Sequence, residues 1–225
     1  LLAERVATRL KVDALRAFGV TAEDVEAIAT YQDGQLEIER LNLGSVAGST
    51  LRISGNLRDA ETQPVGEAQV QFSSADPGPF LALLQERVPS SPLIARLANA
   101  ASWYENTDLR MDLSVPEAGA ISLETRGRVN DSAVSVKAGA ESLTSLFTGG
   151  KRTIDLRVEN QEAQILLGQA DLDPLPWTIG EGGVLTLALE VAADGNADAV
   201  ARFAGAVTTL DATAQLTSLD TPNLL

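Results

Sequence analysis

The side chains available for chemistry are few, because the 225-residue chain contains no histidine and no cysteine. This composition excludes Ser-His-Asp and Cys-His nucleophile pairs, zinc and haem sites, thiol redox chemistry and disulfides. Carboxylates, lysine, tyrosine and hydroxyl groups are what remains. We therefore expect a protein that is not an enzyme and that holds no metal ion or cofactor.

Asp171 and Asp173 are a candidate pair of catalytic carboxylates, since two carboxylates can hydrolyse a glycosidic bond. They directly precede the segment Pro174-Leu-Pro176, which predicts a loop rather than a strand face. With 31 acidic residues in the chain, close acidic pairs are unavoidable. We interpret these two as solvated charges.

Two further segments carry partial motifs for ligand binding. Residues 194–198 have the D-x-N-x-D opening of a calcium loop, but Ala199 and Gly205 stand where the loop requires glycine and glutamate. Residues 149–153 resemble a phosphate-binding loop, but Arg152 separates the lysine from the threonine. We interpret the first segment as a hairpin turn and the second as a helix C-cap and loop before a strand that starts near Ile154.

Charge and composition limit the possible partners. The 17 basic and 31 acidic residues give a net charge of −14, which argues against nucleic acid and against docking on anionic lipid headgroups. Hydrophobic residues make up 44% of the chain and aromatic residues only 4%, so the apolar mass is aliphatic and sufficient for a core. The sequences at the two ends, residues 1–4 and 223–225, are typical of the interior of a domain, and we expect the chain to be a fragment of a longer protein.

Alternation of apolar and polar residues is the dominant pattern. It recurs around Leu36, Leu51, Leu109, Ile154 and Leu185, which predicts strands with one apolar face in a mainly antiparallel sheet. Turn-forming dipeptides separate the strands and predict hairpins, namely Asp33-Gly34, Asn130-Asp131 and Asp194-Gly195.

Helices are expected at few places. Asp76 is a candidate N-cap for a helix that runs to Val88, and Ser91 is a candidate N-cap for a second one that ends near Trp103-Tyr104. For the two aromatic side chains, and for Trp177, we expect packing or capping roles. Residues 1–9 are expected to be the tail of an earlier helix.

A loose internal repeat accompanies these elements. A strand, an acidic residue and the start of a Leu-rich segment follow one another in residues 70–81, 134–147 and 214–225. A glycine in phase with the apolar face precedes each copy, at Gly55, Gly127 and Gly205. Such repeats favour a long sheet that is extended hairpin by hairpin.

Residues 25–57 resemble the repeating unit of AsmA-family proteins (AsmA/TamB-like). The resemblance rests on a strand, an Asp-Gly turn, an L-x-I-x-x-L strand, an Ala-Gly turn and an L-x-x-x-G-x-L strand, and its best match covers about residues 15–84. It implies an extended, curved antiparallel sheet with an apolar groove and a few short covering helices. It also implies a bacterial periplasmic protein, tethered to the inner membrane by an N-terminal helix outside this chain, that contributes to outer-membrane lipid homeostasis.

On this basis we divide the chain into residues 1–102, one AsmA-like repeat that ends in two helices, and residues 103–225, which hold degenerate repeats of the same groove. The expected ligand is a phospholipid or another acyl lipid, with envelope proteins as possible further partners. The residues expected to line the groove are Leu36, Ile38, Leu51, Ile53, Leu109, Met111, Leu113, Leu185, Leu187 and Leu189. The alternative is a non-enzymatic scaffold, a closed β-sandwich that mediates protein contacts, because a sandwich core shows the same alternation.

Overall fold

The computed structural model of the chain describes residues 5–17, 19–59, 64–87, 92–142, 150–170 and 181–216. Within these ranges twelve strands form one antiparallel sheet in which every strand pairs with its neighbours in sequence. The strands are β1 (Val6–Ala17), β2 (Val20–Gln32), β3 (Gln35–Val46), β4 (Ser49–Arg58), β5 (Val65–Ser74), β6 (Thr107–Val115), β7 (Ile121–Val129), β8 (Ser132–Ala140), β9 (Arg152–Glu162), β10 (Glu181–Val191), β11 (Ala197–Gly205) and β12 (Thr209–Leu216).

The prediction of a mainly β fold, an extended antiparallel sheet of successive hairpins with a few short helices, is confirmed. The resemblance implied a curved groove, and the described strands form an open, uncurled sheet. β5 pairs directly with β6, so residues on both sides of the expected boundary at residue 102 belong to the same sheet. The division into two repeats stays a prediction.

Turn chemistry sets the register of the hairpins. Asp33 and Gly34 have φ angles of 50° and 79°, and Asn130 and Asp131 have φ angles of 46° and 61°. Two successive positive φ angles make the type I′ turn whose twist matches that of the flanking strands. The hairpins predicted at these two dipeptides are confirmed.

Within the described ranges, the helices lie in two connections between strands, and both connections are at the same end of the sheet. Between β5 and β6 come α1 (Gly78–Arg87), α2 (Pro92–Asn99) and a 3₁₀ helix (Ala101–Tyr104), and between β9 and β10 comes α3 (Ala163–Gln169). The Gly78 N–H donates to Asp76 Oδ1 at 2.9 Å, which confirms Asp76 as the cap of α1. Ser91 and the Leu-rich segments expected at residues 143–147 and 217–225 lie outside the described residues.

Two sequence-based expectations about helices are corrected. The expected helix tail in residues 1–9 is wrong for residues 6–9, which belong to β1. Thr8 and Leu10 lie on the same face of this strand and pair with Ala29 and Ala27 of β2. In addition, α3 was not predicted. It follows β9 directly and has no side-chain cap hydrogen bond at its start, so the signal that marks most helices in a sequence is missing.

Candidate functional site

The register of the sheet places all ten predicted lining residues on one face. Each residue on this face pairs with an apolar or small residue of the next strand, and the pairs form three continuous rows across β4 to β12. The first row is Leu51, Phe72, Leu109, Gly127, Val134, Val158, Leu185, Phe203 and Leu210. The second is Ile53, Val70, Met111, Thr125, Val136, Leu156, Leu187, Ala201 and Ala212. The third is Gly55, Ala68, Leu113, Leu123, Ala138, Ile154, Leu189, Ala199 and Ala214. Leu36 and Ile38 continue this surface onto β3 through their pairs with Leu57 and Gly55.

We call this surface the apolar face. Its three rows contain no charged side chain, and Thr125 is their one polar residue. With strands about 4.8 Å apart, the rows extend roughly 40 Å across the sheet, and a nine-residue strand extends about 30 Å along it. The bilayer hydrocarbon core is also about 30 Å thick. An acyl chain, which spans half of that core, is therefore shorter than one strand of this face.

Helices cover the apolar face at one end of the strands, in two separate places. Near β9 to β11, Leu166 and Leu167 of α3 are buried against Val158 and Phe203. Near β2 to β5, Phe80 of α1 packs against a second cluster, and its ring lies 5.0 Å from that of Phe72.

Two of the ten residues predicted to line the groove pack against these hydrophobic clusters. Leu51 packs against the cluster under α1, and Leu185 packs against the cluster under α3. The other eight residues belong to neither cluster and are half-buried. Among the described residues no second sheet packs on them, so a β-sandwich is not the architecture formed here. No described helix or strand covers the central part of the apolar face.

Partly buried hydrogen bonds hold α3 and the 3₁₀ helix over the end of the sheet. The Gln169 side chain donates to the carbonyl oxygens of Trp103 and Val129, both at 3.1 Å, and accepts from the Ser132 hydroxyl at 2.9 Å. The Tyr104 hydroxyl donates to the Gln169 carbonyl at 2.8 Å. Trp103 and Tyr104 therefore pack and bond within the fold, as expected, whereas Trp177 lies outside the described residues.

Gly168 offers a test of this docking, because a Cβ atom placed there would run into the indole ring of Trp103. We expect Gly168→Ala to lower the free energy of unfolding by about 1–3 kcal/mol, the usual cost of overpacking. Helix propensity alone would predict the opposite result, because alanine is more favourable than glycine within a helix by roughly 1 kcal/mol. The measurement is urea unfolding of the single variant and of Gly168→Ala combined with Trp103→Ala. If the alanine costs as much without the indole as with it, steric contact with Trp103 is not the cause.

The opposite face of the sheet is charged and exposed. Ion pairs lie along and between its strands, such as Arg157 with Glu159 at 3.0 Å and Arg40 with Glu26 at 3.4 Å. Exposed pairs of this kind contribute about 0–1 kcal/mol each. Their main effect is to give the sheet one wetted face and one apolar face.

Arg152 is the exception to this separation of charge, and sequence reasoning missed it. The interpretation of residues 149–153 as a loop is wrong for Arg152 and Thr153, which begin β9. Arg152 pairs with Ala140 and Val191, so it points to the apolar face at the end opposite the helices. The sequence did contain a signal, because the alternating pattern of Ile154, Leu156 and Val158 extends back to Arg152. A charged arginine is not expected on the same face as these aliphatic residues.

The burial of Arg152 is nearly complete, since the residue is 2% exposed. Burial lowers the pKa of its guanidinium by desolvation. Among the described residues, neither Nε nor Nη1 of Arg152 has a hydrogen-bond partner. Arg152 also lines a pocket of about 380 Å³ at this rim of the sheet.

The partial motifs for other chemistry do not form sites in the described part of the chain. Both carboxylate oxygens of Asp194 accept from Asn196, at 3.0 Å and 2.7 Å, within the β10–β11 hairpin, which confirms the turn interpretation. No group of three acidic, histidine or cysteine side chains in the described ranges could hold a metal ion. Asp171 and Asp173 lie outside those ranges. None of the described helices has the length and hydropathy of a membrane-spanning segment.

The twelve described strands and the side chains on their two sides define the class of protein. It is a single-layer antiparallel β-sheet with one apolar face and one charged face. Comparisons with protein-family models, with curated protein sequences and with solved structures found no match for this chain.

Proposed function

We propose that the chain shields the acyl chains of phospholipids, or of other acyl lipids, on its apolar face. The observation that carries the proposal is the open centre of that face, where rows of half-buried aliphatic residues have no protein layer over them in the described structure. A contiguous apolar surface of this extent is typical of a site for an apolar ligand or partner. Binding would gain about 25 cal/mol for each Å² of apolar area removed from water.

Aliphatic chains suit this surface better than a folded protein partner does. The rows consist of Leu, Ile, Val, Ala and Gly with few aromatic rings, whereas protein-binding hot spots are enriched in Trp, Tyr and Arg. Attraction between aliphatic groups is non-directional, so a flexible chain can lie along any strand. The charged opposite face keeps such a protein dispersed in water while the ligand is carried.

The resemblance to AsmA-family proteins gives the setting of the proposed function. In that setting the chain is part of a periplasmic protein, tethered to the inner membrane by a helix outside this sequence, and supports lipid homeostasis of the outer membrane. The Asp33-Gly34 and Ala47-Gly48 turns of the resembling segment form hairpins with positive φ angles at both residues of each turn. This agreement supports the repeat pattern.

A scaffold function is the second candidate, and one observation favours it. β1, a strand of twelve residues, pairs with β2 on one side and with no described strand on the other, and its Val6 is 54% exposed. Unpaired edges present backbone donors and acceptors that can pair with another chain. In this alternative the sheet edge binds protein and the apolar face is covered by a protein partner.

Site-specific photo-crosslinking in the intact parent protein in cells separates the two functions. A crosslinking residue at Leu187 reports on the centre of the apolar face, and one at Ala188 reports on the exposed opposite face of the same strand. We expect lipid adducts by mass spectrometry at Leu187 and none at Ala188. Protein adducts alone at Leu187 would overturn the lipid proposal in favour of the scaffold.

A further inference from the structure

Arg152 is a buried cation, and in the described part of the chain no anion is hydrogen-bonded to it. It lies on the apolar face, whose three rows carry no charged side chain. Its neighbours on that face are the buried Ala140 and Val191, and it forms no ion pair with any described residue. A buried polar group without a partner lowers the stability of the folded state, and a charged group lowers it more than a neutral one. An arginine at such a position therefore lowers the stability of the unliganded protein.

Of the described acidic side chains at this rim, none forms an ion pair with the guanidinium. Glu190 and Asp198 line the same rim pocket as Arg152. They are cross-strand neighbours on β10 and β11, and each is adjacent in sequence to a residue of the apolar face, Val191 or Ala197. Alternation therefore directs their side chains to the opposite face. Lys151, which also lines the pocket, adds a second positive charge.

The same strand provides an apolar path that leads away from the arginine. Ile154, Leu156 and Val158 follow Arg152 on the apolar face at every second position, and Leu189, Leu187 and Leu185 of β10 lie beside them. A ligand with an oxyanion at Arg152 would have its aliphatic part along this ladder. The guanidinium has five donors in a planar fork that matches a carboxylate or a phosphate, and its strength as a donor is greatest where water is excluded.

We propose that Arg152 binds the oxyanionic headgroup of a single amphiphile whose acyl chain lies along β9 and β10 on the apolar face. The inference rests on the proposed function and adds to it the polarity and orientation of the ligand. It is compatible with the net charge of −14, because one buried guanidinium can bind one anion without a cationic protein surface.

The test compares ligands that share one tail and differ in the head. Dodecyl phosphate and dodecanoate carry the oxyanion, dodecanol has the same chain without charge, and inorganic phosphate is the anion without a chain. Binding of each to the purified protein is measured by calorimetry at a slightly alkaline pH, below the micelle concentration. We expect the two charged amphiphiles to bind about tenfold to a hundredfold more tightly than dodecanol, the ratio that a charge-assisted hydrogen-bonded pair produces.

The matched variant is Arg152→Met, which keeps an unbranched side chain and removes the charge. We expect it to lose the preference for charged heads, so that the two charged amphiphiles bind this variant no more tightly than dodecanol does. Equal binding of dodecanol and both charged amphiphiles by the unaltered protein would overturn this inference and leave the proposed function standing, whereas absence of binding by all three amphiphiles would overturn the proposed function itself. If inorganic phosphate binds as tightly as dodecyl phosphate, the alkyl chain contributes nothing to binding. That result would overturn the proposal of an amphiphilic ligand and indicate a site for a free anion. If the variant does not fold, the affinities of the unaltered protein for the charged amphiphiles and for dodecanol still test the inference.

Discussion

Replacing Leu187 with aspartate is expected to weaken binding of a lipophilic fluorescent probe at least about tenfold. Leu187 lies in the middle row of the apolar face, between Leu156 and Ala201, and is half-buried. In the unliganded protein a carboxylate there still reaches water, so the sheet should form. A bound acyl chain would strip that water from the charge, which costs several kcal/mol without a compensating partner.

Ala188→Asp is the matched control for this prediction. It introduces the same carboxylate one residue further along β10, on the exposed charged face. Titration with a fluorescent fatty acid, with circular dichroism to verify the sheet, should show binding close to that of the unaltered protein. Equal loss of binding in both variants would mean that the effect is general repulsion by added negative charge. Equal retention would mean that ligand does not lie at Leu187.

The largest effect on stability is expected at Leu166, which is 1% exposed beneath α3. Leu166→Ala removes the side chain that packs against Val158 and Phe203. Truncation of a buried leucine costs about 2–5 kcal/mol, composed of lost transfer free energy and the cavity left behind. In a single-layer sheet few other groups can collapse into that cavity, so we expect a value in the upper half of the range.

Leu210→Ala is the control for the truncation itself. Leu210 lies on the edge strand β12 and is 43% exposed, so the same chemical change there should cost less than about 1 kcal/mol. Urea unfolding followed by circular dichroism measures both variants. Similar costs at the two positions would show that α3 contributes little to stability and is not a packed cover of the sheet.

The strands and turns could be predicted because they depend on local pattern. Alternation has a period of two, so Leu109, Met111 and Leu113 must share a face wherever the strand pairs, and the structure places them there. The Asp33-Gly34 dipeptide favours two positive φ angles by its own chemistry, and these are present.

The prediction failed where neighbours in space override local pattern. No cap marks α3 in the sequence, and the helix is held by Gln169 through bonds to residues 37 to 66 positions away. Arg152 was interpreted as part of a loop before a strand that starts near Ile154. Its place was decided by the pairing of β9 with β8 and β10, which extends the ladder to the first residue of the strand.

By itself the sequence determined which residues can share an apolar face, since alternation follows from backbone geometry alone. It did not determine whether that face would be sealed, because a sandwich core and an open sheet need the same pattern. Only the tertiary structure decided this, through the pairing of twelve consecutive strands into one layer and the position of the helices at one end. In the described residues, the same pairing left the centre of the face without a covering layer and placed Arg152 at its rim, where the residue is 2% exposed.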